Sequence, residues 1–96
     1  MIVVRNIFQV KFGRMKEVRE LWKEGIKFVN PANHPRLLTD LTGPFYTLVL
    51  ETTHKDAAAM AADMQNEMSQ AAFGAWYQKF IPLVDSGSRE MFTVVE

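Results

Sequence analysis

The order of two hydrophobic periods along the chain constrains its fold more than any other feature. Four segments alternate with a period of two, which is typical of strands: residues 2–11, 36–42, 45–53 and 89–95. Two longer segments, residues 14–29 and 57–81, have the spacing of helices that bury one face. This order predicts an α+β domain of the ferredoxin-like β-α-β-β-α-β type, in which a four-stranded antiparallel sheet carries both helices on one face.

Turn-forming residues predict where the elements end. Pro31 ends the first helix, because proline disfavours a helical residue before it. Gly43-Pro44 predicts a tight hairpin turn, and residues 85–88 predict a turn before the last strand. Ser69 and Gly74 favour a kink or break within the second helical segment.

The composition narrows the possible partners. The 96 residues predict a single domain spanning residues 1–96, and they include eleven basic residues, eleven acidic residues and no cysteine. The balanced charge argues against nucleic-acid binding, and the lack of cysteine excludes disulfides and cysteine-based zinc sites. No segment approaches the ~18 apolar residues of a membrane span, so we expect a cytoplasmic protein that contacts neither membrane nor nucleic acid.

The first strand does not alternate cleanly between an apolar and a polar face. Val3 and Ile7 share one face with Arg5 and Gln9, and the opposite face is almost entirely apolar. Helices in this architecture cover one face of the sheet, which leaves the other more apolar than contact with water favours. We therefore predict that two chains pack sheet to sheet as a homodimer.

Short stretches spread over nearly the whole chain carry a resemblance to a known superfamily. They are VKFGRM at 10–15, GP at 43–44, WY at 76–77, PLV at 82–84 and SRE at 88–90. In these stretches the sequence resembles the dimeric α+β barrel proteins, and more narrowly the NIPSNAP-like small proteins of uncharacterised function. The resemblance implies a ligand cavity between the sheet and the helices of each chain. Members of the superfamily include cofactor-free monooxygenases, haem-degrading enzymes and isomerases.

The resemblance does not bring a haem site with it. Haem-degrading members use an asparagine on the first strand, together with a tryptophan and a histidine on or near the second helix. Asn6 matches the asparagine, but Trp76 lies late in the second helical segment and no histidine follows it. We therefore expect no haem and no other cofactor.

Two histidines are the candidate catalytic residues. His34 lies in the connector before the second strand, where a histidine can act as acid or base near neutral pH. His54 is predicted to begin the second helix, whose N-terminus disfavours a charged imidazole. The simpler interpretation of both is a solvated side chain. Neither has carboxylates at the spacing of a metal site, so we expect no metal.

Five further residues are candidates for ligand binding: Arg5, Asp40, Tyr46, Trp76 and Tyr77. Arg5 and Asp40 are charges within strands, so each needs a partner, either the other residue or a polar group of a ligand. The aromatic residues can shape a cavity and hydrogen-bond to a ligand, although packing also explains aromatic residues at helical spacing.

Three methionines recur every four residues in the second helical segment: Met60, Met64 and Met68. Such a stripe either lines an adaptable apolar pocket or packs into the core. We predict core packing, because apolar residues at helical spacing are typical of a buried helix face.

These observations predict a homodimer that binds a small apolar or aromatic molecule in the cavity of each chain. One alternative is a cofactor-independent monooxygenase or isomerase acting on a small aromatic or carbonyl compound, with His34 or His54 as base. Another is a structural or interaction module without a ligand, whose cavity is filled by its own side chains.

Overall fold

The computed structural model describes residues 1–95, and Glu96, the last residue of the predicted domain, lies outside them. The strands and helices are β1 (Ile2–Val10), α1 (Met15–Gly25), β2 (Arg36–Thr39), β3 (Thr47–His54), α2 (Ala57–Met68), α3 (Ala71–Phe80) and β4 (Val84–Thr93). The strands form one antiparallel sheet in the order β2-β3-β1-β4. The predicted ferredoxin-like α+β fold is confirmed, with β1 and β3 in the centre of the sheet.

The last strand is longer than the sequence indicates. Residues 85–88 are not a turn, because β4 already begins at Val84 and pairs with β1 along almost its full length. Gly87 lies opposite Phe8, and Arg89 lies opposite Asn6. Pairing with β4 gives hydrogen-bond partners to backbone N–H and C=O groups of β1. This gain outweighs the turn preference of residues 85–88.

The second helical segment is two helices, as the predicted break requires. α2 ends at Met68 and α3 begins at Ala71. The carboxylate of Asp56 caps α2 by accepting a hydrogen bond of 2.8 Å from the backbone N–H of Ala59. His54 therefore does not begin the helix, as the sequence suggested; it is the last residue of β3 and is buried.

The core lies between the sheet and the pair α1 and α3. Val18, Leu48 and Phe80 are the largest fully buried side chains, and the indole of Trp22 meets the rings of Trp76 and Phe80 edge-on. By contrast, none of the twelve residues of α2, all of which the structure describes, is buried. The methionine stripe is consequently not core, because α2 packs only loosely against the rest of the domain.

The other face of the sheet carries a charged cluster among its apolar residues. The buried carboxylate of Glu51 accepts hydrogen bonds of 2.9 Å from Arg5 and 2.6 Å from Arg36. Hydrogen bonds from Arg36 and then from Arg5 hold the pKa of Glu51 below its usual range, although burial acts in the opposite direction. Asp40 is not part of this cluster, since its carboxylate accepts a hydrogen bond of 2.8 Å from the backbone N–H of Thr47.

Glu51 makes the stability of the domain depend on pH. Because its pKa is lowered by folding, its contribution is present above about pH 4.3, the usual pKa of glutamate, and is lost as the pH falls through the lower folded value. We expect Glu51→Gln to lower the free energy of unfolding at pH 7 and to flatten its decline between about pH 5 and pH 3. Urea titrations across this range measure both effects. Glu20→Gln, which removes an exposed partner of Lys23, is the control and should leave the decline unchanged; an equal decline in both variants would contradict the prediction.

Candidate functional site

A cleft with a volume of about 690 Å³ lies between the helix-facing side of the sheet and the three helices. Seven aromatic side chains line it: Phe8, Trp22, Phe28, Phe73, Trp76, Tyr77 and Phe80. A cleft of this volume with an apolar, aromatic lining is typical of small-molecule sites. Flat aromatic walls favour a ligand that can stack on rings or meet them edge-on.

The aromatic side of the cleft is held in place by contacts between α1 and α3. The indole N–H of Trp76 donates a hydrogen bond of 2.8 Å to the carbonyl of Leu21. The same indole lies directly over Gly25, where a side chain would collide with it. Phe73 and Tyr77, one turn apart on α3, stack with their ring centroids 5.7 Å apart. These rings are thus part of the packed structure and form a preformed surface.

A polar pair faces the aromatic rings from the sheet. Asn6 on β1 and Arg89 on β4 are direct cross-strand neighbours, and the guanidinium Nε of Arg89 donates a hydrogen bond of 2.7 Å to the side-chain oxygen of Asn6. Asn6 shares its strand face with Val4 and Phe8, so the period of two directs it towards the helices. The pair adds an amide and a guanidinium to a lining that is otherwise mostly apolar, and we call this part of the cleft its polar end.

A carboxyl group enters the cleft from α2. Partial burial raises the pKa of Glu67, the nearby Asp63 raises it further, and His54 has a smaller opposing effect. Glu67 therefore keeps a proton at higher pH than an exposed glutamate does. Among residues 1–95, no ion pair joins Glu67 to Arg89.

One further hydrogen-bond donor lies beside the cleft. The indole N–H of Trp22 is buried and has no acceptor within the described part of the chain. Buried donors normally find a partner. Trp22 itself lines the cleft, but this N–H is buried, so a ligand in the cleft would contact the ring and not the donor.

A second pocket, of about 510 Å³, lies where β3 ends and α2 begins. Both candidate catalytic histidines, His34 and His54, line it. The ring of His54 is held at both nitrogens: Nδ1 lies 2.8 Å from Asp63 Oδ2, and Nε2 lies 2.9 Å from Thr52 Oγ1. Only 6% of His54 is exposed, so both ring nitrogens are occupied by the protein. The hydrogen bond to Asp63 joins α2 to the sheet.

The site residues predicted from the sequence do not lie together in one site. Trp76 and Tyr77 line the main cleft, and His34 and His54 both line the second pocket. The remaining three, Arg5, Asp40 and Tyr46, line neither space. Arg5 and Asp40 do not pair with each other, and Tyr46 lies in the β2–β3 loop with its ring edge-on to Phe12, the centroids 5.0 Å apart.

Sequence reasoning missed most of the polar groups and one apolar wall of the cleft. Arg89 was placed at the beginning of a short strand after a turn, so no partner on the first strand could be assigned to it. Continuing the alternation of β4 back to Gly87 would have placed Arg89 on the helix-facing side. Met64 and Met68, predicted as core, line the cleft instead, together with Glu67.

Neither a metal site nor a membrane-spanning helix receives support from the described residues. No group of three or more histidine, aspartate or glutamate side chains in residues 1–95 is arranged to hold a metal ion. Over the same residues, no helix is long and apolar enough to cross a membrane.

Sequence comparison finds no family model and no curated protein that matches this chain. Structure comparison finds close matches in fold. A NIPSNAP family protein from Agrobacterium tumefaciens superposes with a TM-score of 0.90 at 17% identity, covering 99% of this chain and 93% of that one. The chain has the fold of the NIPSNAP proteins. An uncharacterised NIPSNAP domain protein from Burkholderia xenovorans gives a TM-score of 0.87 at 15% identity, covering 99% and 95% of the two chains.

The NIPSNAP fold has more distant structural neighbours as well. An antibiotic biosynthesis monooxygenase superposes on this chain with a TM-score of 0.70 at 16% identity, covering all of both chains. At these identities the likeness concerns the fold, and the chemistry has to be argued from the side chains of this chain.

Proposed function

We propose that this NIPSNAP-fold protein is a homodimer that binds a small apolar or aromatic molecule in the cleft of each chain. The observation that carries the proposal is the cleft itself, about 690 Å³ in volume and lined by seven aromatic residues, with a few polar groups at its end. Of the residues predicted from the sequence, Trp76 and Tyr77 are the ones we propose to contact the ligand. The cleft is not filled by the chain's own side chains, which favours binding over a purely structural role. We propose that the protein acts in the cytoplasm.

The open face of the sheet supports the second copy as partner. Leu38 and Phe92 on the two edge strands, and Ile7 and Val49 on the central ones, share this face with the Glu51 cluster. Leu38 remains 37% exposed, although it lies in a strand. Packing this face against its equivalent in a second chain would remove these side chains from water, which is favourable.

Native mass spectrometry of the purified protein tests both parts of the proposal. We expect a species of two 11.0 kDa chains with additional mass from a bound molecule, which organic extraction would release for identification. Leu38→Asp should convert the dimer to a monomer, because it buries a charge in the interface. Leu41→Asp is the matched control, because Leu41 is 97% exposed in a loop.

Different results would contradict the dimer and the ligand site. A monomer in the unmodified protein at micromolar concentration would contradict the dimer. Failure of every small aromatic compound to bind, in a folded protein stripped of bound molecules, would contradict the ligand site.

A second candidate function is a cofactor-independent monooxygenase or isomerase acting on a small aromatic or carbonyl compound. The fold likeness to an antibiotic biosynthesis monooxygenase favours it. His54 is bonded to the protein at both ring nitrogens, whereas His34 is exposed, which makes His34 the more accessible candidate base. Both candidate bases, His34 and His54, line the second pocket. Turnover that is unchanged when both histidines are replaced by glutamine would exclude this version.

A further inference from the structure

Two charged residues of opposite sign line the cleft. Among residues 1–95, Arg89 is the only cation that lines the cleft, and Glu67 is the only acid. The contacts of Arg89 are with neutral atoms: Nε donates to the amide oxygen of Asn6 at 2.7 Å, and Nη1 lies 3.7 Å from the sulfur of Met64. No carboxylate of the described residues lies within ion-pair distance of this guanidinium.

This environment sets Arg89 apart from arginines elsewhere in the chain. Arg5 and Arg36 share the carboxylate of Glu51, and Arg14 pairs with Glu17. Arg19 forms no ion pair among residues 1–95, but it is exposed on α1 and does not line the cleft. Arg89 is instead positioned by an amide, which fixes its orientation without neutralising its charge. A guanidinium has five donors in a planar fork, and the Nη2 end of this one has no partner among residues 1–95.

We propose that the cleft selects a ligand with a single carboxylate on an apolar, aromatic body, and that Arg89 binds the carboxylate. This inference rests on the proposed function, because it names the class of molecule that occupies the same cleft. The planar fork of arginine matches the two oxygens of a carboxylate. The body of the ligand then lies against the more exposed rings of the lining, those of Phe73 and Tyr77.

The single positive charge argues for a carboxylate over a more highly charged group. A phosphate monoester carries close to two charges at neutral pH, and one arginine beside a carboxyl group does not balance them. Glu67, the only acid among the described lining residues, repels an anion in proportion to its charge, so it disfavours a dianion more than a monoanion. Asn6 contributes its amide N–H₂ as a further donor at the same end.

A matched pair of ligands tests the proposal. Isothermal titration at pH 7 compares 2-naphthoic acid with 2-naphthamide, which has the same rings and no charge. We expect the acid to bind the unmodified protein at least tenfold more tightly than the amide. Arg89→Gln should weaken binding of the acid by about 10- to 100-fold, as expected for a hydrogen bond to a charged group, and should change binding of the amide by less than about threefold.

Two further variants separate the role of charge from a role in folding. Arg89→Lys keeps the charge and loses the fork, so it should retain part of the preference for the acid. Arg14→Gln makes the same change as Arg89→Gln in an arginine outside the cleft, and it should bind both compounds as the unmodified protein does. Thermal melts of each variant show whether it is folded.

The outcomes distinguish this inference from the proposed function. Equal affinity for acid and amide, or an equal loss of both in Arg89→Gln while Arg14→Gln binds normally, would overturn the role of Arg89 and leave the cleft as a binding site. Absence of binding for both compounds in the unmodified protein would overturn the binding site itself.

Discussion

Replacing Phe80 by alanine lowers the free energy of unfolding by about 3–5 kcal/mol, the usual cost of removing a fully buried aromatic side chain. Phe80 is 1% exposed and lies where the sheet meets α1 and α3. Its ring meets Phe8 edge-on with the centroids 4.9 Å apart, and it stacks on Trp76 at 5.5 Å. Its removal therefore leaves a cavity bordered by β1, α1 and α3. Urea unfolding measures the change at one fixed protein concentration, because the stability of the proposed dimer would depend on concentration.

The control for this prediction makes the same chemical change at a site without burial. Phe45 is 74% exposed in the loop between β2 and β3, so Phe45→Ala should change the free energy of unfolding by less than about 0.5 kcal/mol. A loss of similar size in both variants would show that the loop, and not the interface between sheet and helices, carries the stability assigned here to Phe80.

The second large effect comes from a single added methyl group. Gly25→Ala places a Cβ 2.7 Å from Cε2 and 2.9 Å from Cη2 of Trp76, and overpacking of this kind costs about 1–3 kcal/mol. Trp76 cannot move away freely, because its indole N–H is hydrogen-bonded to Leu21. The backbone of Gly25 is helical, with φ −57°, so the penalty comes from the contact and not from the backbone.

Gly74→Ala is the opposing control. Gly74 lies within α3, and a Cβ added there meets nothing within 4 Å. Alanine is the better helix former, so this variant should gain about 0.5–1 kcal/mol. Chemical denaturation of both variants should therefore give changes of opposite sign. Trp76→Leu combined with Gly25→Ala should cost less than the sum of the two single changes, because the leucine removes the ring that the added Cβ would meet; additive costs would contradict the proposed collision.

The order of the strands and helices was largely predictable from sequence, because the spacing of apolar residues differs between the two kinds of element. Residues 2–11 are rich in β-branched residues, which favours a strand, and the break near Ser69 follows from local preferences. Where the sequence prediction failed, a distant partner decided the outcome. Residues 85–88 have the composition of a turn, but β1 pairs with them as a strand. His54 belongs to β3 because its cross-strand neighbour is Ile2, at the far end of β1.

The candidate site was only partly predictable, for a related physical reason. Trp76 and Tyr77 stand out as large aromatic residues, and any fold with a cavity between sheet and helices brings such residues close to it. Asn6 and Arg89 are 83 positions apart along the chain, and a register shift of one residue would have placed Arg89 on the other face of the sheet. The polar end of the cleft therefore emerges only once the pairing of β4 with β1 is known.

The loose packing of α2 bears on how a ligand would enter and leave the cleft. This helix supplies Met64, Glu67 and Met68 to the cleft, yet it buries none of its own residues, all of which are described. Regions with few buried contacts open locally at a much lower free energy than global unfolding requires. The core formed by α1, α3 and the sheet can thus stay intact while α2 opens, so release of a molecule bound as proposed would depend on the contacts of α2, among them the hydrogen bond between His54 and Asp63.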